Sequence, residues 1–124
     1  MPTIDKRRFY LPIGQMHLYI EKVKSELAAQ TGVMDCFVFG HLADGNMHFV
    51  VGKESDDISL KEKINDIVYN PLQEIGGSIS AEHGIGLHKK QYLSLCRKAA
   101  ELEVMRMLKN VFDPKGLLNV GKVL

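Results

Sequence analysis

The chain has 124 residues, of which 45% are hydrophobic and 25% are charged, and its formal net charge is +1. This length suits one core, so we expect residues 1–124 to form a single domain, and the average composition excludes a disordered chain. The near-neutral charge, with Lys and Arg scattered, speaks against a nucleic-acid partner. No apolar run approaches the about 20 residues of a membrane span. Cys36 and Cys96 lack metal-binding or redox spacing, which fits a reducing cytoplasm, the location that we predict.

The hydrophobic pattern predicts alternating strands and helices after a frayed stretch over 1–7. The predicted elements are a strand over 8–13, a helix over 14–30, a hairpin over 35–51, a helix over 58–75 that Pro71 interrupts, and a short strand over 78–80. The order βαββαβ predicts an α+β, ferredoxin-like fold, in which two helices cover one face of an antiparallel sheet with strand order 4-1-3-2.

Two further helices are predicted in the C-terminal part of the chain. One begins near Gly86, and the other carries aligned apolar residues from Ala99 to Phe112. Asp113 and Pro114 end this last helix.

Two histidines flank the turn of the predicted hairpin. His41 and His48 are separated by a short loop that contains Asp44, Gly45 and Asn46. We expect the two imidazoles to face each other across the neck of the hairpin, where directly opposed Cβ atoms lie about 4.5–5.5 Å apart. Asn46 lies two residues before His48 on the same face, so its amide could meet a ligand.

A second cluster of functional residue types follows the predicted fourth strand. Glu82 and His83 are neighbours, and neighbours in an extended segment point in opposite directions. We therefore assign Glu82, with His41 and His48, to a divalent metal site, either Zn or Mn, and His83 to a general base. Gly84 begins the next segment, where a backbone N–H could hold a substrate carboxylate.

Each of these residues also has a structural explanation. A single histidine at the end of a strand is usually structural or solvated, and the same holds for an isolated Glu-His pair. The metal site also requires Glu82 to reach across one intervening strand, because the order 4-1-3-2 separates its strand from the hairpin. Spacing alone leaves both interpretations open.

Three ordered motifs add a family resemblance. They are Gly40-His41-x-x-Asp44-Gly45-Asn46-x-His48, then the segment from Gly76 to Gly86 (GGSISAEHGIG), then Asp113-Pro114-x-Gly116-x-Leu118-Asn119-x-Gly121-Lys122. The chain from about Leu11 to its end resembles the C-terminal domain of FAD-linked oxidases, a family that includes D-lactate dehydrogenases, a glycolate oxidase component and D-2-hydroxyglutarate dehydrogenase.

The resemblance implies a role for each matching position. In metal-dependent members the residues matching His41, His48 and Glu82 bind Zn or Mn, and the histidine matching His83 takes the proton of the substrate hydroxyl. The residue matching Asn46 contacts substrate. The segment from Asn119 to Lys122 lies near the flavin domain, so these two residues are expected to contact FAD.

The resemblance covers only part of such an enzyme, because no segment of the chain matches a flavin-binding domain. We therefore expect the substrate- and metal-binding part of an FAD-dependent dehydrogenase or oxidase that acts on a D-2-hydroxy acid. Its partners would be that acid and a flavin-binding domain or subunit. The alternative is a non-catalytic ferredoxin-like module that forms a homodimer through its sheet.

Overall fold

A three-stranded antiparallel sheet lies at the centre of the structure, a computed structural model that describes residues 1–124. The strands are β1 (Thr3–Tyr10), β2 (Val33–His41) and β3 (Asn46–Lys53), in the order β1-β3-β2. The α-helices are α1 (Met16–Ala28), α2 (Ile58–Tyr69), α3 (Leu72–Ile75) and α4 (Ala99–Phe112), and 3-10 helices span Ile13–Gln15, Leu42–Asp44 and Lys90–Leu95. The predicted α+β architecture is confirmed, as is the interruption of the second helix at Pro71.

Side chains alternate along the central strand between a buried and an open face. Phe49 is fully buried, and its ring lies 5.3 Å from that of Phe9 and 6.2 Å from that of Tyr19 in α1, measured between centroids. Ile64 and Val68 of α2 complete this part of the core. Helices α1 and α2 therefore cover one face of the sheet, as predicted.

The predicted fourth strand is reduced to a single residue pair. Tyr10 N donates to Ser78 O at 2.8 Å, and Ser78 N donates to Tyr10 O at 3.0 Å. Ser78 lies beside β1, in the place that the order 4-1-3-2 requires. The Ser78 hydroxyl then donates to Ser80 O at 3.1 Å, a local hydrogen bond that competes with continued strand pairing.

Two local predictions were wrong. Residues 3–7 do not fray, because Asp5 and Arg7 belong to a buried polar network. The Nζ atom of Lys53, a fully buried residue, lies 2.8 Å from Asp5 Oδ2. Arg7 Nε donates to Asn65 Oδ1 at 2.6 Å. No α-helix begins near Gly86, whose left-handed φ of 56° is unsuitable for a helical start.

The C-terminal segment is tied down by one carboxylate. Asp113 Oδ1 accepts from Leu117 N and its Oδ2 accepts from Leu118 N, both at 2.9 Å, and Lys109 Nζ donates to the same Oδ2. The hydrogen bond from Lys109 and those from the two backbone amides lower the pKa of Asp113 to about 2. Val123 N donates to Gly86 O at 2.9 Å, which joins the tail to the loop after Glu82.

The last helix of the chain is largely uncovered. α4 has no buried residue, and its exposed apolar side chains are Val104, Met107, Leu108, Val111 and Phe112. None of the helices combines the length and the apolar character that a membrane crossing needs.

The buried Lys53–Asp5 pair yields a first prediction. Asp5→Ala leaves the buried ammonium of Lys53 with only the exposed Asp56 as its ion-pair partner, and should lower the free energy of unfolding by about 3 kcal/mol. Asp56→Ala is the matched control, because Asp56 contacts the same ammonium at 3.0 Å but its side chain is 74% exposed; it should cost about 0–1 kcal/mol. Urea denaturation measures both, and equal losses would contradict the prediction.

The same pair sets a pH dependence. Burial acts to raise the pKa of Asp5, but the hydrogen bond from Lys53 and the charge of Arg7 outweigh it, and the pKa stays below the ordinary 3.8. This contribution to stability is therefore present at neutral pH and lost as the pH falls through the lowered pKa. As the pH falls through that range, the free energy of unfolding should decrease less in Asp5→Ala than in the unmodified chain.

A second prediction concerns Asp113. Asp113→Ala removes the acceptors of two backbone amides, so amide hydrogen exchange at Leu117 and Leu118 should accelerate about tenfold or more. Lys115→Ala is the control, since the Lys115 side chain makes no hydrogen bond in the structure. Unchanged exchange in Asp113→Ala would show that the carboxylate does not hold this segment.

Candidate functional site

The hairpin loop presents the candidate residues in a fixed geometry. Asp44 Oδ1 accepts from Asn46 N at 3.1 Å and closes the loop, and Gly45 takes a left-handed φ of 73°. Leu11 N donates to Gly45 O at 2.9 Å, which ties the loop to the end of β1. Gly40 is required by close approach, because a Cβ there would lie 2.1 Å from Asn46 O.

The two hairpin histidines lie diagonally rather than directly opposite each other. The four residues between β2 and β3 pair His41 with Asn46 and Phe39 with His48. The centroids of the two imidazoles are 6.4 Å apart, and the ring of Phe39 stacks on that of His48 at 5.0 Å. The predicted direct opposition of His41 and His48 was therefore wrong, although both side chains share one face of the sheet.

Glu82 does reach across the intervening strand. Its Oε1 lies 3.3 Å from His48 Nε2 and accepts from Asn46 Nδ2 at 2.6 Å. The hydrogen bond from Asn46, with smaller effects from His48 and Arg8, holds the pKa of Glu82 below its ordinary value of 4.5. Glu82 is thus anionic at neutral pH. The carboxylate of Glu82 therefore spans the intervening strand β1, as the predicted metal site required.

Arg8 lies at the centre of this arrangement, and sequence reasoning missed it. Arg8 is the β1 partner of His48, and its Nε donates to His48 Nδ1 at 3.3 Å and lies 3.6 Å from Glu82 Oε2. Its Nη1 donates to His83 Nε2. The available signal was its position: alternation along β1 puts Arg8 on the face of the sheet that also carries His48.

Glu82 and His83 do not point in opposite directions as predicted. The backbone bends over residues 81–83 instead of running extended, and His83 Nε2 lies 3.4 Å from Glu82 Oε2. We call this group of five residues the Arg8 cluster; its members are Arg8, Asn46, His48, Glu82 and His83. His41 stays outside it.

The members of the Arg8 cluster do not fit a divalent metal ion. Within residues 1–124, no group of three or more His, Cys, Asp or Glu side chains is arranged to hold one. His48 Nδ1 already accepts a hydrogen bond from Arg8, so the neutral ring carries its hydrogen on Nε2, the nitrogen that faces Glu82. A metal ligand needs a free lone pair. The structure therefore does not assemble the predicted ligand set of His41, His48 and Glu82.

Asn46 offers an acceptor that nothing in the chain uses. Its Oδ1 is buried and has no hydrogen-bond partner, although its Nδ2 is engaged by Glu82. A buried acceptor without a hydrogen-bond partner lowers the stability of the fold, so this oxygen is suited to accept a hydrogen bond from a ligand.

The other predicted ligand-binding residues lie apart from the cluster contacts. Gly84 has a left-handed φ of 72° and its carbonyl accepts from Ser80 Oγ at 3.0 Å, but it begins no helix. Asn119 and Lys122 share a turn, with Lys122 N donating to Asn119 O at 3.1 Å. The largest cavity, about 690 Å³ and lined by Tyr10, Ser78 and Arg97 among others, includes neither. The two residues expected to contact FAD, Asn119 and Lys122, therefore do not line this cavity.

Exposed aromatic rings flank the Arg8 cluster. Phe37 and Phe39 of β2 are 62% and 55% exposed, on the face of the sheet opposite α1 and α2. Large exposed apolar groups beside polar residues mark binding surfaces more often than ordinary surface.

Comparisons with known proteins identify the family of the chain. The family model "FAD linked oxidases, C-terminal domain" matches residues 2–123. Among relatives, a D-2-hydroxyglutarate dehydrogenase of Stutzerimonas stutzeri is 33% identical over 98% of this chain and 27% of its own length. One of Xanthomonas citri is 39% identical over 90% of this chain and 25% of its own length. Glycolate oxidase subunit GlcD of Bacillus subtilis is 33% identical over 82% of this chain and 22% of its own length.

The chain spans about a quarter of the length of the curated relatives that it matches. Its match to the family model covers nearly every residue. The chain therefore belongs to the FAD-linked oxidase C-terminal domain family.

Proposed function

We propose that this chain is the substrate-binding part of an FAD-linked dehydrogenase or oxidase that acts on a small D-2-hydroxy acid. The observation that supports this most is the Arg8 cluster, which combines a fixed cation, an unpartnered amide oxygen and an imidazole on one open face. A 2-hydroxy acid has the matching groups, namely a carboxylate, a hydroxyl donor and a proton to be removed. The relatives named D-2-hydroxyglutarate dehydrogenase support the same substrate class.

Each group of the acid has a partner in the cluster. The carboxylate binds Arg8 Nη2, which makes no hydrogen bond in the structure. The hydroxyl donates to the buried Asn46 Oδ1. His83 then takes the hydroxyl proton at Nε2, the nitrogen that accepts from Arg8 before substrate binds. The substrate carboxylate draws Arg8 away from His83 and so frees the base.

The remaining chemistry is completed outside this chain. FAD, which the family name implies, would be held mainly by a flavin-binding domain and would supply the acceptor for the hydrogen of C2 and its electron pair. A flavin-binding domain or subunit is the partner that this proposal requires, and Asn119 and Lys122 are the residues expected to meet it. No step is assigned to Zn or Mn, because the donor set does not fit. The cytoplasmic location, inferred from Cys36 and Cys96, stays a prediction.

A chimera tests this proposal. The matched C-terminal quarter of the Stutzerimonas stutzeri enzyme is replaced by residues 1–124, and reduction of an electron-accepting dye by D-2-hydroxyglutarate, D-lactate and glycolate is measured. At least one acid should support turnover, and His83→Ala should lower kcat about 100-fold or more, since a positioned base contributes that much.

His17→Ala is the control, because His17 is exposed on α1, away from the cluster contacts. It should leave turnover unchanged. A folded chimera that binds FAD but is inactive with all three acids, or one that tolerates His83→Ala, would contradict the proposal.

The second candidate is the non-catalytic homodimer, and the exposure of Phe37 and Phe39 favours it. If the open face pairs two copies, sedimentation equilibrium should give twice the chain mass of 13.9 kDa. Phe37→Ser should return the mass to that of one chain, whereas Leu18→Ser, on an exposed part of α1, should not. A single-chain mass for the unmodified protein excludes this candidate.

A further inference from the structure

One cation already contacts two of the three residues that were predicted to bind a metal, Glu82 and His48, together with the predicted base His83. The guanidinium of Arg8 contacts Glu82 at 3.6 Å, His48 at 3.3 Å and His83. It arrives from β1, the strand that separates Glu82 from the hairpin. Arg8 is the direct cross-strand partner of His48, so a side chain at this position lies beside that of His48 on the open face. Because Glu82 contacts His48, its carboxylate also lies over the side chain at position 8.

The lone pairs in the cluster are directed at Arg8. A guanidinium only donates hydrogen bonds, so His48 Nδ1 and His83 Nε2 both accept from it. The other nitrogen of His48 carries hydrogen and faces Glu82 Oε1 at 3.3 Å. A metal could use His48 or His83 through these nitrogens only after their hydrogen bonds to Arg8 were broken.

Electrostatic repulsion also opposes the binding of a divalent ion at this site. Arg8 is protonated at every accessible pH, and its charge balances that of Glu82. A divalent ion bound to Glu82 would lie within a few ångströms of the guanidinium, where like charges repel strongly at the low effective dielectric of a protein surface. The cluster is neutral overall with Arg8 in place and would carry a net positive charge with a metal added.

The surroundings hold Arg8 in this position. Its carbonyl oxygen accepts from Lys89 Nζ at 3.2 Å, and its side chain is only 33% exposed. On the far side of His48 the ring of Phe39 stacks at 5.0 Å, so the imidazole is held between Phe39 and Arg8. These contacts fix the backbone at Arg8 and the ring of His48.

We propose that Arg8 is the resident cation of this site and takes the place of a divalent metal among Glu82, His48 and His83. It is a positioning residue toward Glu82 and both imidazoles. The proposal concerns the cation of the site, so it holds whichever acid binds, and it can be tested without substrate or FAD.

Metal titration of the full 124-residue chain tests it, with zinc chloride and manganese chloride as the probes and calorimetry as the readout. The unmodified chain should bind neither ion with a dissociation constant below about 1 µM. Arg8→Gln removes the charge and frees the lone pairs, and should bind Zn²⁺ about tenfold more tightly or better. Adding Glu82→Gln to Arg8→Gln should abolish that gain.

Lys6→Gln is the matched control. Lys6 lies two residues before Arg8 on the same face of β1, its replacement makes the same change in charge, and it does not contact Glu82. A gain of affinity in Arg8→Gln that Lys6→Gln does not share supports the proposal. Equal affinities in the two variants would overturn it, as would tight binding of one Zn²⁺ or Mn²⁺ by the unmodified chain that Glu82→Gln abolishes.

Long-range proton–nitrogen NMR spectra of the histidine rings give an independent readout. In the unmodified chain His48 should carry its hydrogen on Nε2 and His83 on Nδ1, and added Zn²⁺ should leave both rings unchanged. In Arg8→Gln, Zn²⁺ should shift the His48 resonances. The opposite tautomers in the unmodified chain would overturn the proposal even if Arg8→Gln failed to fold.

Discussion

The strict alternation of side chains along β3 governs the rest of the molecule. This strand pairs with β1 on one side and β2 on the other, so its odd-numbered residues, from Met47 to Val51, are buried against the helices while Asn46 and His48 face away. A shift of one residue in register would bury the imidazole and expose Phe49, which the core cannot tolerate. Hydrophobic burial on one face therefore fixes the placement of polar groups on the other.

The site is built from segments that are distant in the chain, and the sheet alone brings them together. Arg8 comes from the first strand, His48 from the third, and Glu82 from the bend after the single pair with Ser78. Because β1 lies between the hairpin and Glu82, its outward side chains fill the space between them. That topological fact explains why an arginine, and not His41, joins His48 and His83 beside the carboxylate.

The order of elements and the buried faces could be predicted from periodicity, since Tyr19, Val23 and Phe49 recur at the spacings of a helix and a strand. The strand order predicted that β1 separates Glu82 from the hairpin, but not that the carboxylate reaches across it. The contacts of Arg8 could not be predicted, because they depend on the register between β1 and β3, which no tight turn sets, and on the bend over residues 81–83. The persistence of β1 from Thr3 was equally hidden, since it depends on Lys53, fifty residues away.

The segment that carries both Glu82 and His83 is held to the sheet by few bonds. Two backbone hydrogen bonds at Ser78, and Lys89 Nζ on the carbonyls of Arg8 at 3.2 Å and Ile79 at 2.7 Å, tie it to β1. Ile79 anchors the start of this segment in the core, but none of residues 80–91 is buried, so the stretch that carries Glu82 and His83 can detach while the three strands stay paired. The carboxylate of Glu82 and the imidazole of His83 would then leave and return together. The lifetime of the assembled site would be set by the hydrogen bonds of Ser78 and Lys89 rather than by the global unfolding of the domain.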